Sequence, residues 1–330
     1  MPNSSRPYAA ESASASSARP HLTQRVLVLG ASGFLGQHVL TRLRERSIEC
    51  VAITRTPKQG FDAAIDLARA PQDVVNDLIS SFAPTTVINC SGAVRGSTTD
   101  LMLGNVVAMQ TLLLALLGRA PSARLVQLGS SAEYGAPTAE APMDEQSPTQ
   151  PGSPYGYTKL AASELVLRAR SQGLDATVLR IFNISGPQSP TSTMLGGLIE
   201  QLRTATGQPK ITLDSLAGWR DYVDVRDVAA AACSAALLDG EVPPVANIGR
   251  GEAVQTGDWV KHLIEVSRTG ALLEERSGSA GTHKASAGAV AWQCADITIA
   301  RKRLGWMPTV PLTDSIRDTW LAATAGYTST

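Results

Sequence analysis

Cysteine and histidine are scarce in this chain of 330 residues, with four of each. Cys50, Cys90, Cys233 and Cys294 lie far apart, which fits neither a disulfide framework nor a zinc site. They are expected to be reduced, mostly buried thiols of a cytoplasmic protein. His21, His38, His262 and His283 are equally scattered, none at metal-ligand spacing, so no metal is expected. Net charge is lacking as well: 29 basic residues balance 29 acidic ones. No global field recruits nucleic acid or an acidic membrane, and any anion-binding site must be local. The first 22 residues hold no apolar signal-peptide segment; rich in Ser, Ala and Pro, they read as a disordered extension. A transit peptide is disfavoured by Glu11 and by the missing amphipathic pattern. The most apolar run, 101–117, is interrupted by Asn105, Gln110 and Thr111 and lies between two strand signals, so it reads as a buried helix and no membrane contact is expected.

What is present is a dinucleotide-binding turn. Residues 25–36 read RVLVLGASGFLG: an apolar strand, glycines at Gly30, Gly33 and Gly36, then a helix beginning near Phe34. Gly30 allows a sharp turn, Gly33 a close backbone approach to a pyrophosphate, and Gly36 close packing of helix on strand. The free amides of the helix start favour an anion. With Ser32, Phe34 and Leu35, these glycines form the expected cofactor cradle.

Strand signals at 25–29, 50–54, 86–89, 124–128 and 176–181 alternate with helical segments at 35–46, 72–82, 102–117 and 157–172. This alternation predicts an α/β fold with a doubly wound parallel sheet. Residues 23–182 are assigned to this Rossmann domain, with 222–250 returning to it. Residues 183–221 and 251–330 are assigned to a smaller substrate-binding lobe. Short helices are expected at 194–206 and 225–238, a strand at 245–248, and a flexible loop over 271–289.

Tyr155 and Lys159 in SPYGYTKLAASE stand at i, i+4 on one helix face. A phenol with a pKa of about 10 is a poor acid at neutral pH. An ammonium about 4 Å away contributes up to roughly 4 kcal/mol, enough to lower that pKa by about 2. Tyr157 has Ala161 four residues on and lacks such a partner. In LGSSAEYG, Ser130 follows the strand 124–128 and faces the ligand cleft of a parallel sheet, placed to hydrogen-bond the substrate oxygen.

Together these motifs resemble the extended short-chain dehydrogenase/reductase family, of the NAD-dependent epimerase/dehydratase type acting on nucleotide sugars. The resemblance is also carried by Asp66-Leu67, NCSGAV from Asn89, Asn105, LRIFNISGPQ from Leu179, RDYVDVRDVA from Arg220, NIGRG from Asn247 and LGWMP from Leu304. It implies that Asp66 and Leu67 flank the adenine. It further implies that Ser91, Gly92, Ala93 and Val94 line the cofactor, joined by Asn105 and Phe182, and that Lys159 and Tyr155 also touch it. Asn183, Arg220 and Ser131 fall on substrate positions, and a homodimer through the helices 102–117 and 157–172 is implied.

Departures sharpen the reading. The second strand ends Ile53-Thr54-Arg55, with no carboxylate for the adenosine ribose, so NADP is favoured over NAD. Ala132 stands where dehydratases of this family carry a glutamate, and Glu133 is one residue out of place, so water elimination is not expected. The arginine that relatives carry before Ala295-Asp296 is missing, with Lys284 and Ser286 nearby, which implies an atypical substrate. The expected activity is NAD(P)H-dependent reduction of a keto group on a nucleotide-activated sugar, a 4-keto-6-deoxyhexose. Alternatives are an NAD-dependent 4-epimerase and, from another class, a non-catalytic NADP-binding sensor or scaffold.

Overall fold

The strands of the amino-terminal half are short, apolar and buried on both faces, which suits a parallel sheet covered by helices on each side. In the computed structural model, which describes residues 24–137, 140–205, 207–213, 216–275 and 291–325, β1 (Val26–Leu29) is buried along its whole length. Its side chains alternate between two cores. Val26 and Val28 face one layer with α1 (Phe34–Glu45) and α7 (Val225–Leu237). Leu27 and Leu29 face the other, with α2 (Gln72–Phe82), α4 (Ala108–Arg119) and α5 (Pro154–Ser171). Helix α7, whose buried face is mostly alanine, packs closely on Val39, Leu40 and Leu43 of α1.

The main sheet adds β2 (Cys50–Thr54), β3 (Ala63–Ala64), β4 (Thr86–Asn89), β5 (Arg124–Leu128), β6 (Ala176–Ile181) and, further along the chain, β10 (Val245–Ile248). Its seven strands are parallel, in the order β10-β6-β5-β4-β1-β2-β3. The chain turns in opposite directions from β1, to β2 on one side and β4 on the other. That switch point opens a crevice at the carboxyl ends of the strands.

Between α3 (Thr98–Leu101) and α4, residues Met102–Val107 form a π-helical turn, so helical structure runs from Thr98 to Arg119. The stretch is long and apolar enough to cross a membrane, yet Met109, Leu112, Leu113 and Leu116 are buried in the second core. The helix thus starts earlier than the sequence suggested, because Ser97 and Asp100 form a capping box.

A three-stranded sheet of β11 (Ala253–Gln255), β9 (Trp219–Asp224) and β7 (Asn183–Ser185) and a pair of β8 (Lys210–Leu213) with β12 (Leu272–Glu275) lie over the crevice. A third core joins them to α6 (Met194–Thr204), α8 (Thr256–Ser267) and Ile316 of α10 (Leu312–Thr324). Helix α9 (Thr298–Leu304) packs instead on the first core. The expected loop at 271–289 is corrected in part: Leu272–Glu275 pairs with β8, completing its backbone hydrogen bonds. The rest of that loop, Lys284 and Ser286 included, and the tail at 1–22 lie outside the described residues.

All four cysteines are free; Cys233 and Cys294 are buried, Cys50 and Cys90 partly so. Among the described residues, no group of His, Cys, Asp and Glu side chains is arranged to hold a metal.

Candidate active site

The glycine turn is built as its sequence requires. Gly30 has φ of +70°, and a Cβ there would meet the Ser91 nitrogen at 2.7 Å. A Cβ at Gly36 would meet the Gly30 carbonyl oxygen at 2.2 Å. No side chain caps the first turn of α1, and no acidic residue lies in it, so its amides and partial positive charge face the crevice. These features fit the pyrophosphate of a dinucleotide.

The crevice opens into a cleft of about 1350 Å³ between the main sheet and the smaller strands. Gly33, Phe34, Leu35, Ser91, Gly92, Ala93, Val94, Asn105, Ser130, Tyr155, Lys159, Phe182, Asn183 and Arg220 all line it. Gly30, Ser32, Gly36, Thr54, Arg55, Asp66, Leu67 and Ser131 do not. Thr54 is buried with its hydroxyl donating to the Thr56 carbonyl at 2.6 Å, which leaves the exposed Arg55 as the group free to meet a phosphate there. Asp66 accepts from the Ala68 amide, Leu67 is buried in the second core, and Ser131 is buried at the start of a 3-10 turn.

Ser153 and Pro154 start α5, the serine hydroxyl accepting from the Gly156 amide at 3.1 Å. A Cβ at Gly156 would meet the Ala132 carbonyl oxygen at 2.5 Å. That glycine lets the helix start touch the turn after β5, so that Tyr155 and Ser130 line the same cleft.

The electrostatics differ from the expectation. Burial pushes the Tyr155 phenol above its usual value; the Ser130 hydrogen bond opposes this and the Glu133 charge adds to it. The predicted lowering by Lys159 is therefore corrected. Lys159 is buried with its Nζ donating to the Leu128 carbonyl at 2.6 Å, and burial lowers its pKa against the pull of Glu133.

Asn105 serves through the backbone. Its Oδ1 accepts from the Ala93 amide and its Nδ2 donates to the Ala93 carbonyl and Thr158 Oγ1, each at 2.9 Å. Asn183 donates to the Asp221 carbonyl at 3.0 Å and Gln293 Oε1 at 3.1 Å. Arg220 donates to the Trp219 carbonyl at 2.8 Å, and burial lowers its pKa.

Trp259 and Thr193 line the cleft without a motif to announce them, and Tyr222, inside the RDYVDVRDVA motif, had no role assigned. Tyr222 and Trp259 stack with ring centroids 4.7 Å apart and planes 9° from parallel, and Thr193 caps α6. Glu133, outside the cleft, turns inward. It is fully buried, accepting from the Ser130 amide at 2.8 Å and from Arg180 Nε at 2.9 Å. Arg180 also covers the Tyr134 ring, 4.6 Å from its centroid, and Tyr134 donates to Asn247 at 2.7 Å.

Comparison with known proteins agrees with this geometry. Residues 26–249 match the model of the NAD dependent epimerase/dehydratase family. A dTDP-6-deoxy-L-talose 4-dehydrogenase (NAD(P)(+)) from Kitasatospora kifunensis is 34% identical over 92% of this chain and 97% of its own length. A GDP-6-deoxy-D-mannose reductase from Pseudomonas aeruginosa is 27% identical over 90% of this chain and 96% of its own. The structure of MoeE5 in complex with UDP-glucuronic acid and NAD superimposes with a TM-score of 0.79 at 27% identity, covering 92% of this chain and 100% of that one. With its glycine turn, parallel sheet and Ser130, Tyr155 and Lys159 gathered in one cleft, the chain belongs to the NAD-dependent epimerase/dehydratase family.

Proposed function

We propose that the protein is an NAD(P)H-dependent reductase of the 4-keto group of a nucleotide-activated 6-deoxyhexose. The observation that carries this reading is the gathering of Ser130, Tyr155 and Lys159 on the wall of one cleft, with burial keeping the Tyr155 phenol protonated. When bound, the nicotinamide cofactor supplies the hydride that reduces the carbonyl carbon. Tyr155 gives its proton to the carbonyl oxygen, so that the carbon gains C–H and the oxygen O–H. Ser130 Oγ accepts from the Ala132 amide, which leaves its own hydrogen for Tyr155 or the substrate oxygen. It thereby stabilises the charge that develops there. Lys159, fixed by the Leu128 carbonyl, supplies a desolvated positive charge beside the reacting groups. Arg220 is assigned to the diphosphate of the sugar nucleotide, where a guanidinium fork suits two oxygens.

Names of relatives support the substrate class: a 4-dehydrogenase of dTDP-6-deoxy-L-talose, a reductase of GDP-6-deoxy-D-mannose and a dTDP-4-keto-6-deoxy-D-glucose reductase from Streptomyces niveus. Several others are UDP-glucose 4-epimerases, and that is the second reading. Arg55 in place of a ribose carboxylate favours NADPH, and with it a cofactor exchanged in each cycle. Denaturing fresh protein and weighing any released dinucleotide by mass spectrometry separates the two. An empty site or exchangeable NADP is expected, whereas stoichiometric NAD assigns the protein as an epimerase.

A homodimer is part of the proposal. Met102, Val107 and Leu114 of the helical stretch 98–119 and Tyr157 of α5 are exposed apolar side chains on neighbouring helices. Light scattering at micromolar concentration should give twice the chain mass, and a monomer refutes it.

A further inference from the structure

Asn89, the last residue of β4, and Gln127, the last but one of the neighbouring central strand β5, stand opposite each other in register. They are 3% and 2% exposed, and the residues between them and the strand starts, Val87, Ile88, Leu125 and Val126, are apolar and buried. Their orientations are fixed from both ends by the backbone. The Ser91 amide donates to Asn89 Oδ1 at 3.1 Å, so that atom is the oxygen. Asn89 Nδ2 then donates to Gln127 Oε1 at 2.8 Å. Gln127 Nε2 donates to the Leu128 carbonyl at 3.0 Å, which can only accept.

The direction of this chain has a consequence at each end. Asn89 Oδ1 carries no hydrogen, so the Ser91 hydroxyl, 2.6 Å away, must donate to it. Ser91 lines the cleft beside the glycine turn and offers only lone pairs there. At the far end, the Leu128 carbonyl receives a second donor, Lys159 Nζ. A buried amide pair pays desolvation that two apolar side chains would avoid, so packing alone does not account for it. A fully satisfied network instead gives rigidity and a single orientation.

We propose that Asn89 and Gln127 are positioning residues: they hold the Ser91 hydroxyl as a pure acceptor for a ligand hydroxyl or amide N–H, and they steady the Leu128 carbonyl that anchors Lys159. A phosphate oxygen, itself an acceptor, is not the partner of Ser91. The assignment rests on reading this cleft as the dinucleotide site.

The test replaces both amides at once, in Asn89→Leu/Gln127→Leu, so that neither is left facing an apolar neighbour. Three quantities are read: the melting temperature without ligand, the NADPH dissociation constant by fluorescence titration without sugar, and the pH profile of turnover. A melting temperature within about 5 °C of the parent is expected together with NADPH binding weakened about tenfold and a displaced pH profile. A folded double variant with parental affinity and parental pH profile overturns the proposal. Ser91→Ala cuts the same chain at the cleft surface without touching the sheet, and covers the case of a double variant that does not fold. It should also weaken NADPH, by about fivefold to tenfold, and unchanged affinity overturns the proposal. Since the titration uses no sugar, a wrong keto-sugar assignment leaves its outcome intact, and the two readings fail separately.

Discussion

Ser130 and Glu133 close a capping box on each other: Glu133 Oε1 accepts from the Ser130 amide at 2.8 Å, while Ser130 Oγ accepts from the amide of Ala132 at 3.2 Å. Arg180 neutralises the other carboxylate oxygen. Both carboxylate oxygens of Glu133 are thus engaged, one fixing Ser130 at the edge of the cleft and the other paired with Arg180. Glu133→Ala leaves the Arg180 charge buried beside an unpaired amide, and a loss of about 3–5 kcal/mol is expected. Urea unfolding measures it, and a parental midpoint would show that the pair fixes nothing.

Tyr155→Phe removes the proton donor and leaves the ring. Turnover should fall by about 10²- to 10⁴-fold with little change in the melting temperature. A variant that keeps more than about a tenth of parental turnover contradicts the proton-transfer role.

Arg55 is the exposed cation that follows β2, and its neighbour Thr54 is engaged with the Thr56 carbonyl. Arg55→Ala should weaken NADPH by about tenfold and NADH much less. Paired titrations decide this, and equal losses for both dinucleotides would remove the phosphate contact.

His38 links α1 to the loop that follows β7. Its Nε2 lies 3.1 Å from the Pro187 carbonyl, so the neutral ring must carry its hydrogen there. Burial lowers its pKa below 6.5, outweighing the Pro187 bond and the Asp224 charge, which raise it; Arg226 lowers it further. Between 6.5 and that lowered value the unfolded chain binds the proton and the folded one does not, so this group removes stability as pH falls. In His38→Gln, which keeps a donor for Pro187, the melting temperature should fall less from pH 7 to pH 5 than in the parent. Parallel curves would contradict the assignment.

The parts of the molecule that sequence reading captured are those set by local pattern. Apolar runs such as VLVL and the glycine turn announced the parallel sheet and its crevice, because strand burial and positive φ demand those residue types. Ser130 and Tyr155 were legible for the same reason, each tied to an element boundary. What stayed hidden depends on partners distant in the chain. Glu133 meets Arg180 across 47 residues, and the pairing of β12 with β8 joins segments without a shared signal. Lys159 was placed on the right face of its helix. Its ammonium turns to the Leu128 carbonyl, 31 residues away, while burial, which helical spacing does not reveal, raises the Tyr155 phenol. The π-helical turn around Asn105 likewise accompanies bonds to Ala93 and Thr158 that helical periodicity does not contain.

The most direct measurement of the central claim is to incubate the purified protein with NADPH and a nucleotide-activated 4-keto-6-deoxyhexose, following cofactor absorbance and product mass together. One NADPH is expected to be consumed for each sugar that gains two hydrogens. Interconversion of 4-epimers without net consumption of dinucleotide would contradict it.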